Sequence, residues 1–242
     1  MTSETNQFQA VGNVTELLQA NELAGRKFSR QDIPDCIWPT DNEFGIPLLR
    51  LDLQADALDL PVVQYGTRMR KKEMRGTWAF YVDDYRFSAL WKNPAPIMNT
   101  RAVNIIEPNF SVFDTTPKAL AVYQTYRKRF LARTWQELAG LRVFVDLNVA
   151  WEHSELNLAG VPAGWRSYAT RGYSDRIHVL EMELDIARLK RGGDDLLFVV
   201  YGGGRVVKEY CQQFGMVYVP EQQDKAQCRA IAEDGILFPT GV

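Results

Sequence analysis

Cysteine and histidine are scarce in this chain, with three Cys and two His among 242 residues. Cys36, Cys211 and Cys228 lie far apart and form no CxxC pair, so they read as free thiols in a reducing compartment. With His153 and His178 alone there is no HExxH, and GxSxG is missing too. Zincin and serine-hydrolase readings fall away, and no Cys–His arrangement can be read from residue order. No apolar run approaches the length of a membrane span, and the stretch Met1 to Gln7 is polar, without a basic segment leading into an apolar one. The cytoplasm is the expected location, with no membrane partner. Charge of neither sign dominates: the formal net charge is -2 and the pI about 5.8. That argues against a surface that grips nucleic acid everywhere and leaves a local basic patch open. Tandem repeats and low-complexity tracts are absent as well.

What is present is ordinary soluble material, 46% apolar and 24% charged. The length suits one large domain with a sizeable core, and α/β barrels reach this size undivided. Asn13 can cap a short helix from Val14 to Leu23 that Gly25 ends. Pro34, Pro39 and Pro47 then break the chain, while Ile37, Trp38, Phe44, Ile46, Leu48 and Leu49 need a surface to cover. Residues 1–59 therefore read as a helix and an irregular arm, and residues 60–242 as the α/β core.

In the core, short apolar runs end in polar or Gly stops and are followed by helical patterns. The first run is Leu60 to Gly66, followed by the basic segment Arg68 to Arg75. Thr77 to Val82 is a buried strand running into Asp83 and Asp84, one of which can cap a helix carrying Phe87, Leu90 and Trp91. Ala102 to Glu107 is the next strand. Thr116 can cap a long helix with Pro117 at its first position, ending at Gly140. Strands follow at Leu141 to Val149, Trp165 to Thr170, Leu196 to Tyr201 and Met216 to Val219. Residues 176–190 fit either period, and a helix is favoured because a crossover is needed there. Val206, Val207, Tyr210, Cys211 and Phe214 share one helical face, and Asp224 to Ala232 forms a last helix. Near-continuous apolar strands alternating with helices predict a mostly parallel sheet covered on both faces. About seven strand–helix units favour barrel-like closure over an open, doubly wound sheet.

Several blocks carry a resemblance. They are Val82-Asp83-Asp84-Tyr85-Arg86-Phe87 with Leu90-Trp91 and Asn93-Pro94, then Pro108-Asn109-Phe110-Ser111, then Tyr123 with Tyr126-Arg127-Lys128-Arg129, and last Val200-Tyr201-Gly202. Their order resembles an uncharacterised family, domain of unknown function 4417, across about residues 60–205. The resemblance implies a phage, prophage or plasmid setting and no established activity. Two positions depart from the pattern: Asn109 stands where an Asp is expected, and Asn148 lies near an expected aromatic.

Ligands in such sheets bind beyond the carboxyl ends of strands. Those ends carry Asp83, Asp84, Glu107, Asn109, Asp146, Asn148 and Glu152. Asp83, Asp84, Glu107 and Asp146 form the expected catalytic set, with Asp84 and Asp146 as ligands for Mg²⁺ or Mn²⁺. The plain alternative is that these are helix caps and loop residues. Gly202-Gly203-Gly204-Arg205 can turn a backbone toward phosphate, although it is neither GxGxxG nor a P-loop and can equally be a tight turn. On the long helix Arg127 falls within the apolar face and invites an anion, while Lys128, Arg129 and Arg133 fall outside it. Arg68, Arg70, Lys71, Lys72 and Arg75 form a candidate nucleic-acid patch or a solvated face. His153 sits where a proton shuttle would. The leading expectation is a protein that binds or hydrolyses a nucleotide or nucleic acid at a strand-end acidic site. The alternative is a non-catalytic accessory factor that docks on nucleic acid or on a phage or host protein. Whether the protein is an enzyme stays open.

Overall fold

The computed structural model describes residues 38–66 and 74–221. Seven strands form one sheet: β1 (Val62–Gln64), β2 (Thr77–Ala79), β3 (Asn104–Ile106), β4 (Arg142–Asp146), β5 (Ser167–Arg171), β6 (Leu197–Tyr201) and β7 (Val217–Val219). The described α-helices are α1 (Ala95–Met98), α2 (Lys118–Ala139), α3 (Ser154–Asn157), α4 (Ile177–Arg191) and α5 (Gly204–Gln213). Every neighbouring pair of strands is parallel, and the spatial order is the sequence order. A doubly wound sheet reverses direction at a switch point. This one does not, and it curls into a barrel-like sheet.

The curl is visible in which side chains meet. Val62, Ala79, Ile106, Phe144, Ala169, Val199 and Val219, one from each strand, pack into a single buried cluster with Tyr81 and Tyr201. The alternate residues, among them Val63, Trp78, Ile105, Val143, Tyr168 and Phe198, belong to a second, larger cluster that includes Phe130, Leu131 and Trp135 of α2, Leu180 and Leu184 of α4, and Val207 of α5. Period-two alternation thus sorts each strand into an inward and an outward face. Both faces are apolar, which is why the strands read as near-continuous apolar runs.

The arm is part of this packing. Trp38 lies 6.3 Å from Phe130 of α2, and its indole nitrogen donates to Thr134 at 3.2 Å. Ala55 and Leu58 enter the inner cluster, and the Ala55 amide donates to the Val143 carbonyl at 3.1 Å. The Asn104 amide donates to Ala57 O at 2.8 Å and Asp59 Oδ2 at 2.9 Å. Residues 54–59 therefore plug the end of the sheet where the strands begin, and that leaves the carboxyl ends as the open mouth.

Residues 176–190 are helical, as the need for a crossover predicts. The segment after Asp83 departs from expectation: it forms 3₁₀ turns at Asp84–Arg86 and Ser88–Trp91 instead of an α-helix. Pro94 and Pro96 follow too soon for a longer helix to close its hydrogen bonds. Thr116 does not cap α2; its hydroxyl accepts from the Phe113 amide at 2.9 Å, and the helix starts at Lys118. The expected helices at 14–23 and 224–232, with Cys36 and Cys228, lie outside the described residues; Cys211 is a buried free thiol. No helix among the described residues is long and apolar enough to cross a membrane.

Phe144 is fully buried inside the sheet. Phe144→Ala is expected to lower stability by about 3–5 kcal/mol through lost transfer energy and a residual cavity. Urea unfolding followed by far-UV circular dichroism measures it.

Candidate functional site

The four expected acids part company in the structure. Asp83 is exposed and sits 3.8 Å from Arg86. Asp84 accepts from the amide and hydroxyl of Ser111 at 3.1 and 2.9 Å, so it fastens the turn after β2 to the loop after β3. Glu107, just past β3, has no exposed surface and is ion-paired with Arg129 of α2. Asp146, the last residue of β4, is equally buried. Lys128 Nζ stands 3.4 Å from its carboxylate and 3.1 Å from its carbonyl oxygen, and the Tyr81 hydroxyl donates to it at 3.2 Å. Among the described residues no group of three or more His, Cys, Asp and Glu side chains is placed to hold a metal ion. Asp84 and Asp146, already filled by Ser111 and by a lysine, do not form a fitting donor set for Mg²⁺ or Mn²⁺, and no step is derived through a metal.

Lys128 and Arg129 overturn the helix-face reading. Projection at 100° per residue puts them outside the apolar face, yet they are the most deeply buried cations of α2, at 2% and 0% exposure. Leu120 and Tyr123, which the same projection puts on the apolar face, are exposed. The reason is chemical: Glu107 and Asp146 wait at the ends of β3 and β4, and buried charges go where their partners are. Arg129 also donates to the carbonyls of Ala159 and Asn157. Burial pushes the Asp146 carboxyl up and the Lys128 ammonium down, each toward its neutral form, while their mutual attraction opposes both shifts.

Arg127 does lean inward, but onto rings. Its guanidinium lies 3.9 Å from the Phe110 ring centre, 5.5 Å from Tyr123 and 5.6 Å from Trp91, and it donates to Gln124 at 2.9 Å. The Gly202–Gly204 turn is crowded too. All three residues have positive φ, and a Cβ at Gly202 would come within 2.7 Å of the Glu221 carboxylate. A Cβ at Gly203 would lie 2.5 Å from Val207 and 2.8 Å from the Gly172 backbone. These glycines let β6 turn tightly into α5, with the Glu221 carboxylate beside Gly202. Arg205 is 86% exposed in its side chain and faces Glu209 at 3.7 Å. Of the candidate nucleic-acid patch, Arg68, Arg70, Lys71 and Lys72 lie outside the described residues, and Arg75 is exposed. His153 is buried, its Nε2 3.1 Å from the Thr116 carbonyl, where it ties two loops together.

A further candidate lies on the same mouth. A cleft of about 920 Å³ opens beyond the carboxyl ends of β2 to β5. Its β5 side carries Arg171, Tyr173, Arg176 and His178, and its β3 and β4 side carries Phe113 and Trp151. Arg176 and Arg171 lie 4.1 and 5.6 Å from the Tyr173 ring centre. Arg176 also precedes the first turn of α4, which has no side-chain cap, so that helix presents unsatisfied N–H groups beside it. Tyr81, Asn109, Asn157 and Glu183 also line it, as do the acids Asp83, Asp114 and Glu152 and the cation Arg86. Tyr81 stacks on Tyr201 at 5.7 Å across the interior.

Glu183 is the acid that residue order did not single out. It is 7% exposed, on α4, and has no ion-pair partner among the described residues. Burial raises its pKa well above the ordinary 4.5, and the nearby Asp146 charge adds to the rise, while the Thr170 hydroxyl and Arg176 oppose it. Its burial and the Asp146 charge both favour the neutral form. The signal was there: Leu180, Glu183, Leu184 and Ala187 are the buried ridge of α4, and a Glu at i+3 within such a ridge is a chemical anomaly. The choice between strand and helix for this stretch hid it.

Residues 38–165, more than half of the chain, match the family described as Domain of unknown function (DUF4417). The chain belongs to that family. The match begins within the arm and stops short of Val200-Tyr201-Gly202. Two relatives are the "Gene 1 protein" of Mycobacterium phage D29, 36% identical over 63 residues, and that of Mycobacterium phage L5, 32% identical over 63 residues. Each aligned stretch covers 25% of this chain, with 23% and 28% of the two relatives, so the chain spans about a quarter of their length. These matches set the chain among phage-associated proteins of unknown function. No solved structure matches it.

Two outcomes follow from the buried charges. Arg129→Met leaves Glu107 buried and unpaired and is expected to cost about 3–5 kcal/mol of stability by denaturant unfolding. Glu183 acts through pH. A folded-state pKa raised above the unfolded 4.5 gives stability that is complete below pH 4.5 and is lost as pH rises through the folded value. Glu183→Gln mimics the protonated form. It should therefore be more stable than the parent at pH 8, with the difference shrinking toward pH 4.5; a constant difference across that range would contradict a proton held at Glu183.

Proposed function

We propose that this family member binds a phosphate-bearing small molecule in the cleft at the mouth of its barrel-like sheet, in the cytoplasm, with Glu183 as the group that holds a proton against the ligand. The observation that carries the reading is the convergence of Arg171, Arg176, His178 and an uncapped helix N-terminus on one wall of a cleft whose buried acid has no cation partner among the described residues. Phosphate oxygens accept several hydrogen bonds at once, and guanidinium forks and helix N–H groups are suited to supply them.

The existing pairs of this wall are weak competitors. Arg171 lies 3.4 Å from Glu221, and Arg176 lies 4.0 Å from Asp175, with side chains 36% to 80% exposed. Exposed pairs of this kind contribute about 0–1 kcal/mol each. A phosphate group can displace both. The Arg171 Nε is buried with no hydrogen-bond partner and gains one in the exchange. Glu183 in its neutral form can donate to a phosphate or leaving-group oxygen, whereas a charged carboxylate there would repel the ligand. Hydrolysis and binding without turnover both remain consistent with this arrangement, and the relevant residues are the same.

Calorimetric titration with ribose 5-phosphate tests the proposal. Saturable binding is expected, weakened at least about tenfold in Arg176→Ala, a loss of about 1.4 kcal/mol, and weakened further as salt rises. Arg205→Ala should bind as the parent does. Binding that is lost in Arg205→Ala and kept in Arg176→Ala would return the phosphate to the Gly turn and sink this placement.

A further inference from the structure

We infer that the cleft takes a nucleoside monophosphate with an amino-bearing base, the base lying on Trp151 and Phe113 and meeting the buried amide of Asn157. This rests on the phosphate reading above and adds the rest of the ligand.

Trp151 is 51% exposed and Phe113 is 64% exposed, and both line the cleft. Large aromatic side chains left half open on a concave surface mark a place where something apolar and flat is received. The two rings are carried by loops fastened to each other. The Ala150 amide donates to the Val112 carbonyl at 3.0 Å, and His153 Nε2 meets the Thr116 carbonyl at 3.1 Å. The platform is therefore braced, and stacking on it costs little ordering.

A second and independent observation concerns the amides. Asn157 is 1% exposed and lines the cleft, and its Oδ1 is buried without a hydrogen-bond partner. Its orientation is not free, because Nδ2 donates to the Asp146 carbonyl at 2.9 Å. The oxygen must therefore face the other way, as an acceptor without a donor. Asn109 also lines the cleft with a buried, unpartnered Oδ1. Two unfilled acceptors on the platform side call for N–H groups from the ligand. An exocyclic amine carries two N–H groups on one nitrogen, whereas the carbonyl edge of hypoxanthine offers a single ring N–H. Cationic groups on the β5 side and a ring platform with acceptors on the β3 and β4 side match the two ends of one mononucleotide. A cavity of about 920 Å³ is within the range that holds such a molecule.

The test compares five ligands by calorimetry with the full chain: AMP, IMP, adenosine, ribose 5-phosphate and a short oligoadenylate. AMP is expected to bind about tenfold or more tighter than ribose 5-phosphate, as base stacking provides, and tighter than IMP, which replaces the amine with a carbonyl. Trp151→Ala, a change at an exposed side chain, should reduce AMP to the level of ribose 5-phosphate and leave ribose 5-phosphate unchanged. Equal binding of AMP and ribose 5-phosphate overturns this inference and leaves the phosphate reading standing. Adenosine binding as well as AMP, with ribose 5-phosphate silent, sinks the phosphate reading and keeps the platform. Equal affinity for AMP and IMP removes the role given to the amide acceptors. Tighter binding of the oligoadenylate, counted per nucleotide, overturns the mononucleotide in favour of a strand.

Discussion

Two ion pairs buried between α2 and the ends of β3 and β4 hold this structure in register. Glu107 pairs with Arg129 and Asp146 with Lys128, and none of the four is more than 2% exposed. The two pairs are joined, since Glu107 also accepts from the Asp146 amide at 3.2 Å. Hydrophobic residues of equal size would often serve stability as well. What an apolar replacement would lack is direction. An arginine with fixed donors to Glu107, Ala159 and Asn157 allows one placement of α2 against the sheet and one path for the chain that leaves β4. Apolar ridges on a 22-residue helix would tolerate several.

The cleft inherits its floor from that network. Asn157 gives its carbonyl to Arg129 and its amide nitrogen to Asp146, and this turns its oxygen away from both. Tyr81 is fixed at one end by Asp146 and along its ring by Tyr201. The groups that face a ligand are thus oriented by groups that do not. Charge compensation inside the sheet has the same source. Lys128 offsets Asp146 in part, and the remaining Asp146 charge still raises the Glu183 pKa.

The sheet was legible because its signal is local and redundant. Near-continuous apolar runs, each closed by Gly or a polar residue and each followed by a helical period, leave few topologies, and the count of seven follows from the runs themselves. The site was less legible. Acids at strand ends are easy to see in sequence, but whether an acid is free depends on what packs over it. Asp84, Glu107 and Asp146 each have partners from 18 to 27 residues away, invisible to any reading of spacing. Arg171 and Arg176 were unremarkable in a loop, and Glu183 was concealed by an undecided period. The helical projection failed at Lys128 and Arg129 for a related reason. Hydrophobic periodicity locates apolar surface, and the two most informative buried positions of α2 are charged.

The proposed phosphate site is the loop after β5 and not the turn after β6, and the packing of Gly202 and Gly203 is its reason. Gly202 and Gly203 are glycines because neighbouring chain segments come within 3 Å of where a Cβ would stand. At those two positions the turn packs against its own chain. The loop after β5 has the opposite character. Its side chains line the mouth, and burial raises the pKa of Glu183 behind it. The cleft lining carries Asp83, Asp114 and Glu152 as well as Arg86, Arg171 and Arg176, so positive charge is local to the β5 wall, where a neutral Glu183 would leave it without a further offset. On this argument the affinity for an anion falls as pH rises through the Glu183 titration, even though the arginines keep their charge throughout. That dependence separates a site built around a neutral acid from a simple basic patch, whose affinity over the same range would stay level.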